Sequence, residues 1–240
     1  MSIKIATWNL DHASKNNSRK IDPQVDIIKG INADIWILTE TCSQVDISPL
    51  GYRPVVPEHK NKYQKYWSTI WSRVPIRNEI RTYDTETAVC AEVEITPDIS
   101  MIVYGTIITW QMDKGRDGKS KPWEEHNKSI IDHGADWSKI ISQNKQSIFC
   151  VAGDFNQPRD GSNWYFAHTS NRNGIMEMSR QLAGNDLSCL TSDDFHTLID
   201  RHNVDHICIS SRCKEFCKTV DAWYAPDLSD HNGVWVELQL

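Results

Sequence analysis

The sequence predicts an α/β protein whose sheet system gathers its polar chemistry on one rim, and three observations carry that expectation. The first is Ser147–Asn156, SIFCVAGDFN, an apolar run able to form a buried strand that breaks off in Gly153, Asp154, Phe155 and Asn156. Glycine at such an end turns the backbone without a Cβ penalty and admits a ligand closely, which suits a site more than a core. The second is that Ile3–Asn9, Asp34–Glu40, Val204–Ser210 and Ser229–Leu240 each couple an apolar strand to Asn, Glu, Asp or Asp-His. If these strands are neighbours, their polar ends converge. The third is size: 240 residues, 39% of them hydrophobic, can bury a full core, and a sheet-rich chain of this length is expected to form one domain over residues 1–240.

Taken in order, Ile3–Asn9 is a strand and Asp11–Lys20 a polar loop. Ile21, Val25, Ile28 and Ile31 then fall on one helical face that would pack on the sheet. Asp34–Thr39 is a short apolar strand, and Cys42–Gln64, with Pro49, Gly51, Pro54 and Pro57, reads as a long surface connection. Strands follow at Tyr66–Ser72, Ile76–Thr82, Ala88–Ile95 and Met101–Thr109. Four in a row without a helix imply antiparallel hairpins. Trp110–Lys121 is a charged, glycine-containing loop, after which Pro122 can open a helix to about Asn144 with Trp123, Ile130, Trp137 and Ile141 buried. The central strand leads to a loop over Gln157–Asn173, a helix near Gly174–Ala183 and short strands to the C-terminus.

A net charge of −6 and a pI near 5.8 exclude a molecule-wide field that would condense the chain onto nucleic acid, so any phosphate binding must be local. No run reaches membrane-spanning length, and Met1 leads directly into a strand rather than a signal peptide. Seven cysteines, an odd number set mostly in apolar strands, read as free thiols in a reducing, cytoplasmic setting. The cluster His202, His206, Cys208, Cys213 and Cys217 has no C-x-x-C, and a strand through Val204–Ile209 would send alternate residues to opposite faces, so zinc is not expected there.

Oxygen-bearing Asp, Glu and Asn at the rim suit Mg²⁺ or Mn²⁺, and metalloprotease, P-loop and nucleophile-elbow motifs are absent. Such carboxylates with a divalent cation and a histidine are equipment for displacement at phosphorus. The ordered series TWNLD, LTE, GDFN, VDH and SDH, running the length of the chain, resembles the endonuclease/exonuclease/phosphatase superfamily. The resemblance implies a deoxyribonuclease I-like fold: a four-layer α/β/β/α sandwich of two facing, mostly antiparallel sheets with the site at one end. It also implies roles. Glu40 and Asn9 would stand on the metal side, with Glu40 the direct ligand, Asp11 a supporting acid and Asp230 a further metal-side acid. Asp154 would orient or deprotonate water, Asn156 would bind phosphoryl oxygens, and Asp205 would hold His231 cationic and correctly turned.

One position departs from that pattern. Relatives carry a histidine or tyrosine for the leaving oxygen where this chain has Ile107, which cannot move a proton. Glu86 would then be a strand-edge charge, and His126 on the following helix is the substitute to test. Lys60–Trp67 and Lys114–Lys121 combine cations with aromatics or flexibility as expected of single-strand or nucleotide contacts, and Trp164 and Tyr165 could wall the site. The expected activity is metal-dependent hydrolysis of a phosphodiester, in nucleic acid or a nucleotide-like compound. The rival readings are a phosphomonoesterase on a sugar, lipid or other small phosphate, and a binding module without turnover.

Overall fold

The structure is a computed structural model that describes residues 1–12, 18–61, 65–159, 169–192 and 202–240. Trp164, Tyr165 and the middle of Lys60–Trp67 lie outside the described residues. Among the described residues, twelve strands and three long helices run in the order β1 (Ser2–Asn9), α1 (Ser18–Ile31), β2 (Ile35–Thr41), β3 (Arg53–Val55), β4 (Tyr66–Ser72), β5 (Ile76–Glu79), β6 (Ala88–Thr96), β7 (Ile99–Ile107), α2 (Glu124–Gln143), β8 (Ile148–Asp154), α3 (Thr169–Gly184), β9 (Leu187–Cys189), β10 (Asp205–Ser210), β11 (Cys217–Tyr224) and β12 (Asn232–Gln239). They form two six-stranded sheets, β11-β12-β1-β2-β4-β3 and β5-β6-β7-β8-β10-β9. Only β1–β2 and β7–β8 pair in parallel; the other neighbours are antiparallel.

Period-two alternation sorts the side chains into layers. Ile3, Ile5, Ile35 and Ile37 of the first sheet meet Val103, Cys150, Ala152 and Ile207 of the second in a central core. The opposite face of the first sheet packs Trp8, Trp36 and Leu38 against Ile21 and Ile28 of α1. On the second sheet Tyr104, Phe149 and Val151 meet Ile130 and Trp137 of α2 and Met178 and Leu182 of α3. The result is the four-layer sandwich. Gly105 lets the sheets approach, since a Cβ there would lie 3.0 Å from Ser68 Oγ and 3.2 Å from Ile37 and Ile70.

Several local expectations need correction. β4 and β5 are not a hairpin: β4 pairs with β2 and β3, and the chain crosses to the second sheet around Val74 and Pro75. The connection after Cys42 is more than surface, for it contains β3 and buries Val45, Ile47 and Tyr52, whose hydroxyl donates to Ala33 O at 2.5 Å. Helix α3 starts at Thr169, ahead of Gly174. The inner face of α2 is more polar than its apolar residues indicate, because His126, His133 and Asp136 are buried on it while Ile141 is only partly covered. The Tyr104 hydroxyl lies 3.0 Å from Asp136 Oδ2 and 3.1 Å from His133 Nδ1, a polar anchor between β7 and α2.

Burial pushes His126 and His133 each down to about 4; the Thr109 carbonyl opposes this at His126, and the charges of Asp84 and Asp132 oppose it at His133. Both rings are therefore neutral in the fold but titrate near their ordinary value in the unfolded chain. Between those values the unfolded state binds more protons, so stability is full above about pH 6.5 and falls as pH drops toward 4, by up to ~3 kcal/mol per ring. Urea midpoints should fall between pH 7 and 5, and the double variant His126→Gln/His133→Gln should flatten that slope whatever its stability at pH 7. An unchanged slope would show that other groups set the acid sensitivity.

Candidate active site

The site grows from the end of β8. Gly153 has φ of 138°, and a Cβ there would fall 1.9 Å from the Thr106 carbonyl of the parallel neighbour β7. Only glycine fits. The chain then runs through Asp154, whose backbone carbonyl accepts from Ile108 N at 2.8 Å, to Asn156 in a left-handed conformation (φ 51°). Asp154 Oδ1 accepts Asn156 N–H at 2.7 Å, while Asn156 Nδ2 donates to Ile108 O at 2.8 Å and to Asp154 Oδ2 at 3.1 Å. Asp205 is the cross-strand partner of Asp154, so β8 and β10 bring two carboxylates side by side.

The first sheet supplies the opposing wall. Asn9 ends β1, and its Oδ1 accepts the Asp11 N–H at 2.9 Å, which leaves Nδ2 to donate both to Glu40 Oε1 at 3.1 Å and to Asp154 Oδ2 at 3.0 Å. Alternation along β2 would send Glu40 to the face of Trp36 and Leu38, toward α1. A left-handed backbone at Glu40 (φ 49°) breaks the alternation and turns the carboxylate to Asn9. The second oxygen, Oε2, lies 2.9 Å from His12 Nε2. The Asp11 carboxylate points elsewhere, paired with Lys20 of α1 at 2.9 Å.

Across the seam, His231 Nδ1 lies 2.7 Å from Asp205 Oδ2. Ser229 places this histidine: its hydroxyl donates to Asn9 O at 2.7 Å and accepts His231 N–H at 3.0 Å, while Trp8 Nε1 donates to His231 O at 3.4 Å. Asp230 is an exposed carboxylate 3.9 Å from His231 Nε2. The structure thus draws Asn9, Glu40, Asp154, Asn156, Asp205 and His231 together and leaves the carboxylates of Asp11 and Asp230 at the margin. Asp154, Asp205 and His231 each place one ligand-capable atom within 4.8 Å of the others, the one such trio of His, Cys, Asp or Glu among the described residues. In the cysteine-histidine stretch, Cys208 packs on the α2 and α3 side and Cys213 in the central core.

Charge follows geometry. Burial alone would lower His231, but the carboxylates of Asp205 and Asp154 raise it to about 10, so it is a cation at neutral pH. Burial pushes Asp154 up to about 8, with His231 pulling down and Asp205 and Glu40 adding to the rise. Burial also lifts Asp205, with His231 opposing. At Glu40 burial works upward and is outweighed by the hydrogen bond and charge of His12, by Asn9 and by His231, so its carboxyl is held below its ordinary value. His12 is raised by its hydrogen bond to Glu40, against burial.

Ile107 ends β7 as the register partner of Asp154, buried and aprotic, in agreement with the expected gap. His126 does not fill it: Nδ1 meets Thr109 O at 2.6 Å, and Nε2 faces Gly174 of α3. Glu86 accepts the Trp67 indole N–H at 3.2 Å. Sequence reasoning missed His12 and Ser229. Ser229 stood in the SDH signature, but the left-handed turn that returns His12 to Glu40 leaves no periodic trace.

A fold of this kind, with paired carboxylates, asparagines and a carboxylate-held histidine at one end, is that of a phosphoesterase-like sandwich. The sequence profile of the Endonuclease/Exonuclease/phosphatase family matches residues 6–231, and the chain belongs to that family. Among solved structures it is similar to an AP endonuclease from Archaeoglobus fulgidus (TM-score 0.72, 14% identity, 99% of this chain and 100% of that one). It is also similar to an endonuclease/exonuclease/phosphatase from Bacteroides vulgatus (0.71, 14%, 100% and 99%) and to a 3′ phosphatase from Neisseria bound to product DNA hairpin (0.69, 15%, 99% and 100%). At such identities these likenesses speak for the fold. No curated protein matches the sequence.

Gly153→Ala tests how the site is built. A Cβ against the Thr106 carbonyl must part β7 from β8 or flip the backbone, so a loss of about 3 kcal/mol or more is expected. Chemical denaturation reads it directly. A variant within 0.5 kcal/mol or so of wild type would show that the β8 end tolerates another backbone.

Proposed function

We propose that the protein is a divalent-metal-dependent hydrolase of phosphodiester bonds, acting on nucleic acid or a nucleotide-like compound. The observation that carries this reading is the buried Asp205–His231 pair, 2.7 Å apart, set beside Asp154 and facing the Glu40–Asn9 corner. The donor set at that corner fits Mg²⁺ or Mn²⁺: one Glu40 oxygen takes an amide N–H, and the other already accepts a cation-capable ring, His12, at 2.9 Å. Glu40 would hold the ion, with Asn9 Nδ2 orienting its carboxylate, while Asp11 and Asp230 stand at the margin. When bound, it would supply positive charge against the phosphoryl and departing oxygens.

The chain's own groups do the rest. His231, kept cationic by Asp205, turns Nε2 outward as a donor to a phosphoryl oxygen. Asp154 is the group to orient water and take its proton, with a carboxyl raised toward the range where a base works well. Asn156 can reach a phosphoryl oxygen by giving up one of its two present acceptors. A phosphomonoesterase is the second reading, favoured by the similar 3′ phosphatase and by the acidic net charge, which suits a small substrate. Phosphodiesters and monoesters assayed side by side with Mg²⁺, Mn²⁺ or EDTA separate them: metal-dependent diester cleavage supports the first, and release of inorganic phosphate the second.

Asp154→Asn should lower kcat at least about 100-fold in a folded protein, since an amide accepts no proton. Turnover within about tenfold of wild type would remove Asp154 from the base role. The aprotic Ile107 yields a separate expectation. With no side-chain acid for the leaving oxygen at the Ile107 position, rates should fall steeply as leaving-group pKa rises, so aryl phosphodiesters should be cut far faster than alkyl ones. His126→Gln should leave that ratio unchanged, because the ring faces Thr109 and α3. Loss of alkyl ester cleavage alone in this variant would identify His126 as the acid.

A further inference from the structure

His12 is bound into the corner that the proposed reading gives to the cation. Two consecutive left-handed residues, Asp11 (φ 47°) and His12 (φ 54°), turn the chain back after β1 and return the imidazole to Glu40. Such geometry is uncommon away from glycine and costs on the order of 1–2 kcal/mol per residue, so it persists only where contacts hold it. The contacts are present: Nε2 lies 2.9 Å from Glu40 Oε2, and the ring meets Trp67 edge-on with centroids 5.8 Å apart. Trp67 is itself fixed by Glu86 at 3.2 Å. Lys65 Nζ approaches His12 O at 3.4 Å. The His12 side chain is 47% exposed and that of Glu40 17%, so the ring stands at the mouth of the corner and the carboxylate at its floor.

We propose that His12 is a nitrogen ligand of the divalent cation held at Glu40, and that it tunes the site toward Mn²⁺ or another first-row ion over Mg²⁺. The inference rests on the metal reading above and adds to it a donor of a different kind. A cation held by Glu40 Oε2 would take the place of this hydrogen bond: the Nε2 proton would be released to solvent and the freed lone pair would face the ion, while Nδ1 would keep its proton. Mg²⁺ favours a shell of oxygens and gains little from imidazole; Mn²⁺ and the later first-row ions accept nitrogen readily. His12 thus acts as a specificity-determining ligand, and Trp67 and Glu86 as its supports.

The test is pulsed electron paramagnetic resonance on the full chain loaded with Mn²⁺, together with calorimetric titration of Mn²⁺ and Mg²⁺. Wild type should show nitrogen modulation of the Mn²⁺ signal that survives in His231→Gln and is lost in His12→Gln. Calorimetry should show Mn²⁺ affinity falling about tenfold or more in His12→Gln, with Mg²⁺ affinity changing far less. Should His12→Gln fail to fold, wild type and His231→Gln grown with ¹⁵N-histidine give the same answer, because the modulation changes with the nitrogen isotope only if an imidazole is bound. Mn²⁺ binding that depends on Glu40 but shows no nitrogen coupling overturns the assignment of His12 alone. Mn²⁺ binding unchanged in Glu40→Gln overturns the metal reading itself, and this inference with it.

Discussion

The arrangement depends on a polar seam that joins the two sheets where their apolar interface meets solvent. Asn9 Nδ2 reaches from β1 to Asp154 Oδ2 at the end of β8, and His231, entering β12, pairs with Asp205 at the start of β10. Inward of this seam the facing positions are Ile5, Ile37, Val103, Ala152, Ile207 and Val234. Asp154 and Asp205, register partners on neighbouring strands, would repel each other in such a setting without a cation between them. His231 supplies it. The pair is poor evidence for net stability, because desolvating the charges offsets their attraction, but removing one partner strands the other in a low-dielectric site. The seam is thus a place where fold and chemistry constrain the same atoms.

Backbone conformation makes the seam possible. Among the described residues, seven non-glycine residues have positive φ, and four of them, Asp11, His12, Glu40 and Asn156, lie at this rim, with Gly153 beside them. A regular strand sends successive side chains to opposite faces and cannot aim two neighbours at one point. Each left-handed residue breaks that rule once: Glu40 turns inward to Asn9, Asn156 folds back to cap Asp154, and Asp11 and His12 return the chain to Glu40. Side-chain hydrogen bonds recover the strain, since Asp154 alone accepts from Asn9 Nδ2, Asn156 N and Asn156 Nδ2.

What could be read from the sequence follows from the range of the physics involved. Tyr66–Ser72 was legible to the residue, as was the end of β1 at Asn9, and β8 was legible as an apolar run breaking off within Gly153–Asn156, because a strand's alternation and its terminating Asn or Asp are local. The convergence of Asn9, Glu40, Asp154, Asn156, Asp205 and His231 was legible only as an ordered series of short motifs. Pairing was not. That β4 joins β2 while β5 joins β6 depends on which long-range ladder wins, and an uninterrupted run of strands reads equally well as hairpins. The buried face of α2 was misread for a related reason: His133 and Asp136 are polar in sequence and become core only through Tyr104, about 30 residues earlier. His12 was hidden by a turn of two residues that no periodicity marks.

The two ends of the rim differ in a way that bears on the proposed chemistry. At one end Asp154 and Asp205 are fully buried and, with His231, are held by partners in both sheets, so their positions change little as solvent changes. At the other, Glu40 is 17% exposed beneath the 47% exposed ring of His12, and Ile107 beside Asp154 contributes only apolar surface. A chain carrying −6 overall does not draw an anion in by its general field, so on the proposed reading an anionic substrate would be recognised by local donors: His231, an ion held at Glu40 and the segment after β7, where exposed Trp110 and Met112 precede Lys114. The proton acceptor Asp154 is thus buried beside the cationic His231, while the Glu40 corner lies under the exposed ring of His12. On the proposed reading, Asp154 would direct water, and an ion held at Glu40 would supply positive charge toward the departing group.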